Sequence, residues 1–510
     1  MKKKLSCVQE DIINTSGNVI VRASAGTGKT HIMVLKIQKD IEDNNSHKSI
    51  AAITFTIKAA GEIFDRLPSI SEEHFIGTNN RFAVEEVIQP FMKDVYGTEY
   101  DIDMETDYET KVNSFNEGIK EIKKSGIIPI YEKKQKNFIF DLALRIMQNS
   151  YACREYIKAK YFKIYVDEYQ DCDKDMHEFF MYLCDNLKID FFIVGDPKQS
   201  LYIWRGAYPD SFESICKKEN FIEKKMTENF RSCIAIQNYT NMLFEETRGF
   251  VREIEDVSAI RLIKTKLNDW PSVVLRELDL SKQTAVLRIK NDDAIEVSRL
   301  LSKNKQKFIY VSSPPICSIK TKDAWLYSAI AQFYIKDKYS IYSFIRDIPD
   351  EKIRFKDSKK ILMPYLNNIC NSIDDRNIKC FIKKVQALAE YLGYEVTVCN
   401  LIKLYYTVTT EKYRYYFFQD EIQNISMTVH SAKGLEFEQV VLFSKDYSLN
   451  SDEDFYRHYV AATRAKERLI IISINENRVY NKINQIALSM NRNIEDFIEI
   501  VEISNGTQIM

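Results

Sequence analysis

Residues 23–30 read Ala-Ser-Ala-Gly-Thr-Gly-Lys-Thr. The β-branched run Val19–Arg22 precedes them, and His31–Lys39 continues as a helix. In a small-residue loop between strand and helix, backbone N–H groups turn inward around phosphate oxygens. The helix N-terminus adds partial positive charge. Ala25, Gly26, Thr27 and Gly28 would form that cradle. Lys29 would reach the β- and γ-phosphates of a nucleoside triphosphate, and Thr30 would offer a hydroxyl to Mg2+. Ala23 stands where the strict pattern has its first glycine. A second stretch, Ile-Tyr-Val-Asp-Glu-Tyr-Gln-Asp at 164–171, is an apolar strand that delivers Asp167 and Glu168 at its carboxyl end. That is where α/β proteins place ligands. Asp167 suits magnesium held through water, and Glu168 suits orienting and deprotonating an attacking water. A strand ending in Asp-Glu is on its own often just a solvated turn; the phosphate loop upstream selects the catalytic reading.

The elements that must position these groups form an alternating series. Short buried strands are expected at Val19–Arg22, Ile50–Phe55, Ile164–Val166 and Phe191–Val194. A second set comprises Ala285–Ile289, Gln439–Phe443 and Leu469–Ser473, with a helical stretch near Arg457–Lys466. Such runs alternating with helices imply an α/β fold with parallel sheets, one core before about residue 200 and one after about 215. Two segments interrupt them: residues 80–150 are polar, charged and helix-prone, and 320–415 are rich in Tyr and Lys.

At 510 residues the chain is too long for one core and implies roughly three or four domains. The 45% hydrophobic and 28% charged content fits a soluble globular protein. No apolar run reaches the roughly 18–20 residues of a membrane helix. The basic start, Met1-Lys2-Lys3-Lys4, leads to only scattered apolar residues (Leu5, Val8), so no signal peptide is read and a cytoplasmic location is expected. The ten cysteines are scattered without a C-x-x-C pair, which favours small buried apolar roles over metal binding. A net charge of −1 leaves nucleic acid undecided, because a groove needs only local positive charge and aromatic faces.

Further motifs follow in order. Residues 53–60 read Ile-Thr-Phe-Thr-Ile-Lys-Ala-Ala, and 194–207 read Val-Gly-Asp-Pro-Lys-Gln-Ser-Leu-Tyr-Ile-Trp-Arg-Gly-Ala. Glu-Asn-Phe-Arg-Ser stands at 228–232, Thr-Val-His-Ser-Ala-Lys-Gly-Leu-Glu-Phe at 428–437, and Tyr-Val-Ala-Ala-Thr-Arg-Ala at 459–465. With the two stretches above, this series resembles the ordered motifs of UvrD/Rep/PcrA-like superfamily 1A DNA helicases, from residue 5 to about 473.

The resemblance implies two RecA-like P-loop domains with parallel sheets, each carrying a mainly helical insertion. Residues 1–80 and 138–212 would form the first, domain 1A, with 81–137 as insertion 1B. Residues 213–318 and 416–510 would form the second, domain 2A, with 319–415 as a reduced insertion 2B. ATP and Mg2+ would bind between the RecA-like domains, and single-stranded DNA would be tracked 3′ to 5′. By the same resemblance Gln9 reads the adenine edge, Phe230 stacks on adenine, and Glu436 contacts the ribose. Gln199 couples the γ-phosphate to DNA, and Arg231 and Arg464 reach the γ-phosphate. Arginines on a mobile domain tie hydrolysis to closure, and such a finger contributes roughly 10³–10⁵-fold in rate. Phe55, Tyr202, Trp204, Arg205 and His430 resemble the strand-contacting positions. A base stacked on an aromatic is worth about 1–3 kcal/mol whatever the sequence, which a motor requires.

Several departures fall on the DNA side. Ile57 replaces the usual Asn, Gly77-Thr78-Asn79-Asn80 replaces Gly-Thr-Phe-His, and Phe455 and Tyr456 replace basic residues. The compact proportions are similar to those of the helicase-like subunit of the Gabija anti-phage defence system. That similarity implies antiviral defence beside an OLD-family nuclease partner. An alternative is an ATPase that senses DNA ends or junctions and activates the nuclease with little unwinding.

Overall fold

The β-branched runs that frame the two acidic and phosphate-loop motifs become neighbouring strands of one parallel sheet. The structure, a computed structural model, describes residues 5–67, 73–133, 135–201, 206–208, 210–303, 306–319, 321, 323–348, 358–419 and 421–502. They divide into two compact units, residues 1–265 with 442–510, and residues 266–441.

In the first unit the strands are β1 (Val19–Ala23), β2 (Ser49–Thr54), β3 (Phe75–Thr78), β4 (Glu105–Val112), β5 (Ile127–Tyr131), β6 (Tyr161–Val166), β7 (Asp190–Gly195), β8 (Ile222–Met226) and β9 (Ile260–Thr265). Six of them form a sheet in the order β3-β2-β6-β7-β1-β8, and every pairing is parallel. Register aligns Ile53 with Val166, Val166 with Ile193, and Val21 with Val194. The chain therefore leaves β1, β6 and β7 at one edge, just before Ser24, Asp167 and Asp196. Side chains alternate between faces, as period-2 geometry requires. Ile20, Ile53, Val166 and Ile193 enter one core, and Val21, Ala52, Tyr165 and Val194 enter another. Burial on both faces explains why these strands read as continuous apolar runs.

Three helices position the site: α1 (Cys7–Asn14), α2 (Lys29–Asp43) and α3 (Ile57–Arg66). Ser6 and Gln9 close a reciprocal capping box on α1, which satisfies N–H groups its first turn would otherwise orphan. A buried charge cluster ties these elements together. Lys36 Nζ on α2 lies 2.7 Å from Asp40 Oδ1 and donates to Ile13 O at the end of α1 (2.9 Å). Lys163 Nζ on β6 lies 3.1 Å from Asp40 Oδ2, to which the Tyr165 hydroxyl also donates.

Residues 79–149 are mainly helical, as expected, and also contain a β-α-β unit that the composition does not reveal. Strands β4 and β5 pair in parallel around the helix Phe115–Ser125. A parallel pair needs such a crossover. The alternating Thr and Tyr of β4 and the Ile-Ile-Pro-Ile-Tyr of β5 suit strands, though the surrounding charge reads as helix.

The second unit holds β10 (Thr284–Arg288), β11 (Ile309–Tyr310), β12 (Asn424–Thr428) and most of β13 (Phe437–Phe443), parallel in the order β11-β12-β10-β13. Residues 324–418 between them contain helices and no strand among the described residues. These helices enclose their own core, with Leu326, Leu362, Phe381, Leu388 and Leu404. The chain then returns to the first unit, where β14 (Ala465–Ile474) and β15 (Glu499–Glu502) pair in parallel with β9. Among the described residues no helix is long and apolar enough to cross a membrane.

Candidate active site

The phosphate loop leaves β1 and enters α2 with Gly26 at φ 74° and Gly28 at φ 86°, Gly28 being the N-cap residue of α2. Both lie in the left-handed region that glycine adopts without strain. Gly26 is also a close approach: a Cβ there would lie 2.3 Å from Asn229 Oδ1 and 2.8 Å from the Arg231 Cβ. Lys29 and Thr30 thus open the first turn of the helix, with its N–H groups and its partial positive charge.

Across the sheet edge, Thr30 Oγ1 donates to Asp167 Oδ2 at 3.2 Å. Asp167 is buried, and desolvation together with the neighbouring Glu168 charge pushes its carboxyl up to about 7, against the pull of Lys29. A buried carboxylate held at that value, with a hydroxyl beside it, is a hard-oxygen donor set that a divalent cation would relieve. These residues fit Mg2+. Glu168 itself sits at φ 51°, ψ 39° and donates its N–H to Asp167 Oδ1 at 2.9 Å. A left-handed non-glycine residue costs on the order of 1–3 kcal/mol and persists where its surroundings over-determine it.

Three residues not assigned from the sequence join these groups. Asp196 is fully buried and accepts from Gln199 Nε2 (2.8 Å) and the Tyr459 hydroxyl (3.2 Å) at Oδ2, with Lys198 Nζ 3.3 Å from Oδ1. The Tyr459 oxygen in turn accepts from Ala25 N in the phosphate loop at 3.2 Å. Gln170 Oε1 accepts from Asp196 N at 3.0 Å, while its Nε2 donates to Glu168 Oε2. A continuous hydrogen-bonded chain therefore runs from the phosphate loop to Glu168.

The segment after β8 folds directly onto the phosphate loop. Ser24 N donates to Met226 O (3.1 Å) and Phe230 N to Gly26 O (2.9 Å). Asn229 Oδ1 accepts from the N–H groups of Arg231 (2.7 Å) and Ser232 (3.1 Å), which fixes the turn. Beside it an open cleft is lined by Ser6, Val8, Gln9, Thr27, Met226, Thr227, Glu228 and Phe230. The Phe230 ring is half exposed there, and Gln9 Oε1 is occupied by Ser6 N, which leaves Nε2 as the donor end of the amide. A flat apolar ring and one amide donor suit a purine base.

Arg231 and Arg464 meet at Thr463. Arg231 Nη1 donates to Thr463 O (3.2 Å), and Arg464 Nη2 donates to Thr463 Oγ1 (3.1 Å). Arg464 is buried and also bonds Val460 O through Nε at 2.9 Å. The chain leaves its helix earlier than expected, at Ala462, and β14 already begins at Ala465.

The remaining sequence candidates lie elsewhere. Phe55 follows β2 and packs, half buried, against the core. In the second unit, His430 lies in the turn after β12, and Glu436 directly precedes β13; both are partly exposed. Tyr202, Trp204 and Arg205 lie outside the described residues.

Comparison with known proteins gives a family. A family model described as the UvrD/REP helicase N-terminal domain matches residues 6–138 and 136–220, and one described as the UvrD-like helicase C-terminal domain matches residues 425–472. The Gabija protein GajB of Bacillus cereus is 40% identical over 92% of this chain and 95% of its own length. A probable DNA helicase II homolog of Rickettsia conorii is 29% identical over 45% of this chain and 42% of its own. ATP-dependent DNA helicase PcrA of Staphylococcus epidermidis is 25% identical over 47% of this chain and 40% of its own. Against these two helicases the match takes in less than half of their length.

Proposed function

We propose, from the premise that the chain belongs to the UvrD-like helicase family, that it is the helicase-like motor of a Gabija-type anti-phage system. It hydrolyses ATP between its two RecA-like domains and tracks single-stranded DNA 3′ to 5′ in the cytoplasm, beside an OLD-family nuclease. The observation that carries the ATPase reading is the shared sheet edge: Lys29 and Thr30 open α2 next to Asp167 and Glu168, with Phe230 and Arg231 on the phosphate loop.

On this reading Ala25, Gly26, Thr27 and Gly28 cradle the phosphates, and Lys29 neutralises the β- and γ-oxygens. Gln9 and Phe230 hold the adenine. Glu168 takes the proton of the attacking water, the role that an acid at the end of a buried strand can fill. Arg231 and Arg464 stabilise the charge that develops on the γ-phosphate, and Gln199 links that phosphate to DNA. Thr30 and Asp167 would hold Mg2+, which when bound neutralises phosphate charge. The ribose role of Glu436 and the DNA roles of Phe55, Tyr202, Trp204, Arg205 and His430 rest on the family resemblance. The four-part division into domain 1A (1–80, 138–212), insertion 1B (81–137), domain 2A (213–318, 416–510) and insertion 2B (319–415) is proposed with them. The separate helical core of 324–418 supports the last of these.

A second reading, DNA-end sensing that activates a nuclease with little unwinding, has one structural observation in its favour. In the Gly77–Asn80 turn, Thr78 caps the following helix, Asn79 is buried, and Asn80 Nδ2 donates to the Tyr108 hydroxyl. These polar side chains are engaged inside the protein, where the family usually has Phe-His.

The test is ATP hydrolysis by the purified chain with and without single-stranded DNA, followed by strand displacement. Strong stimulation with unwinding supports the motor; stimulation without unwinding selects the sensor. Absence of hydrolysis under both conditions, in folded protein, overturns the ATPase reading.

A further inference from the structure

Gln170 has a function-bearing position that the motif series does not assign. Its side chain is fully buried, and both ends of its amide are used. Oε1 accepts from Asp196 N at 3.0 Å, and Nε2 donates to Glu168 Oε2. The orientation is chemically determined: a flipped amide would set its NH2 against the Asp196 N–H, donor against donor. The site also keeps room for it. A Cβ at Gly195 would lie 2.7 Å from Gln170 Oε1, so a larger residue there would displace the amide.

Two features make this contact matter for chemistry. Glu168 holds a left-handed backbone that its surroundings must over-determine, and its Oε2 is engaged by the Gln170 amide. Asp196, which sets the Gln170 orientation through its N–H, is also where Gln199 Nε2 and the Tyr459 hydroxyl converge, and Tyr459 accepts from Ala25 N. A shift of Gln199 or Tyr459 therefore reaches Glu168 through one buried amide, in an interior where such networks are strong.

We infer that Gln170 is a positioning residue that aims the Glu168 carboxylate and makes that aim depend on the Asp196–Gln199–Tyr459 cluster. The Gln170 N–H holds Glu168 Oε2 and so fixes the direction of the carboxylate. This rests on the reading of Glu168 as the base, and the experiment separates the two.

Glu168→Gln, Gln170→Ala and Gln170→Met are compared in the full-length chain by kcat and KM for ATP with single-stranded DNA, and by thermal midpoint. Loss of a hydrogen bond to a charged, reacting group predicts a fall in kcat of about tenfold or more for Gln170→Ala, with KM within about twofold. Gln170→Met keeps the length and the packing volume but has no N–H for Glu168 and adds no charge beside it. It is expected to fold, as read by the thermal midpoint, and to be about as impaired in kcat as Gln170→Ala. A role in packing alone would be rescued by that substitution, so near-normal turnover of Gln170→Met overturns the inference. Should Gln170→Ala fail to fold, Gln170→Met still decides. Near-normal turnover of Glu168→Gln overturns the base reading, and the inference with it. An inactive Glu168→Gln beside fully active Gln170 variants overturns the inference alone.

Discussion

His458 offers a quantitative test of how the site is held. It lies fully buried on the helix Asp452–Ala462, its Nε2 2.6 Å from the Tyr239 hydroxyl and its ring 4.6 Å from that of Tyr447. Burial pushes its pKa from 6.5 down to about 3, opposed only weakly by Asp454. The neutral ring shares a hydrogen bond with the Tyr239 hydroxyl, and the next residue, Tyr459, bonds Ala25 N and Asp196. Because the unfolded chain binds this proton more readily, acid favours unfolding. The contribution is intact above pH 6.5 and is lost progressively as the pH falls toward about 3. Between pH 7.5 and 5.5 the difference amounts to about 1.4 kcal/mol, one pKa unit's worth. Asp167 and Asp173, pushed up by burial to about 7 and about 6, act in the opposite sense, since protonation favours their folded forms. His458→Gln isolates the histidine: it keeps a neutral hydrogen-bonding partner for Tyr239, and the aspartates are common to both proteins and cancel. Urea denaturation at the two pH values is expected to show wild type losing about 1.4 kcal/mol more than the variant. Parallel losses would refute the assignment of a buried neutral imidazole.

Other perturbations probe the site and its support. Phe230→Ala, removing a half-exposed ring from the cleft, is expected to raise the KM for ATP about tenfold or more at nearly unchanged thermal midpoint, since stacking a base is worth about 1–3 kcal/mol. An unchanged KM would remove Phe230 from the adenine site. Gly26→Ala combines φ 74° with a Cβ 2.3 Å from Asn229 Oδ1, so nucleotide affinity should fall by at least tenfold, about 1.4 kcal/mol of binding. Adding Asn229→Ala should restore part of it, as read by titration with a fluorescent ATP analogue. Asp40→Ala strands Lys36 and Lys163 beside each other in the interior and is expected to destabilise by about 3–5 kcal/mol in urea denaturation. A loss below 1 kcal/mol would show that the cluster does not hold α1, α2 and β6 together.

The parts of this site legible in the sequence are those whose chemistry and backbone geometry coincide over a few residues. The phosphate loop is one, because Gly26 and Gly28 both require left-handed backbone and Lys29 must follow at the helix start. Parallel strands are legible for a similar local reason: burial on both faces leaves runs such as Ile-Ala-Ala-Ile with no polar alternation. Boundaries are less so. The helical stretch expected near Arg457–Lys466 stops at Ala462 and β14 starts at Ala465, where Ser232 Oγ donates to Ala465 O and Cys233 N to Lys466 O. Those bonds join positions far apart in the chain, and no local propensity records them. The same reasoning explains why Gln170, Asp196 and Tyr459, which stand inside the stretches 164–171, 194–207 and 459–465, carry no role in a reading of the sequence alone. Each looks ordinary beside its sequence neighbours: a glutamine after a strand, an aspartate before a proline, a tyrosine in a helix. Their meaning appears only when the parallel register brings the ends of β1, β6 and β7 to one edge and the helix before β14 sets the Tyr459 hydroxyl between Ala25 and Asp196. Groups proposed to touch ATP announce themselves by residue type and local spacing. Groups that aim them can stand in the same short stretches, yet their roles depend on partners from distant stretches that only the topology brings together.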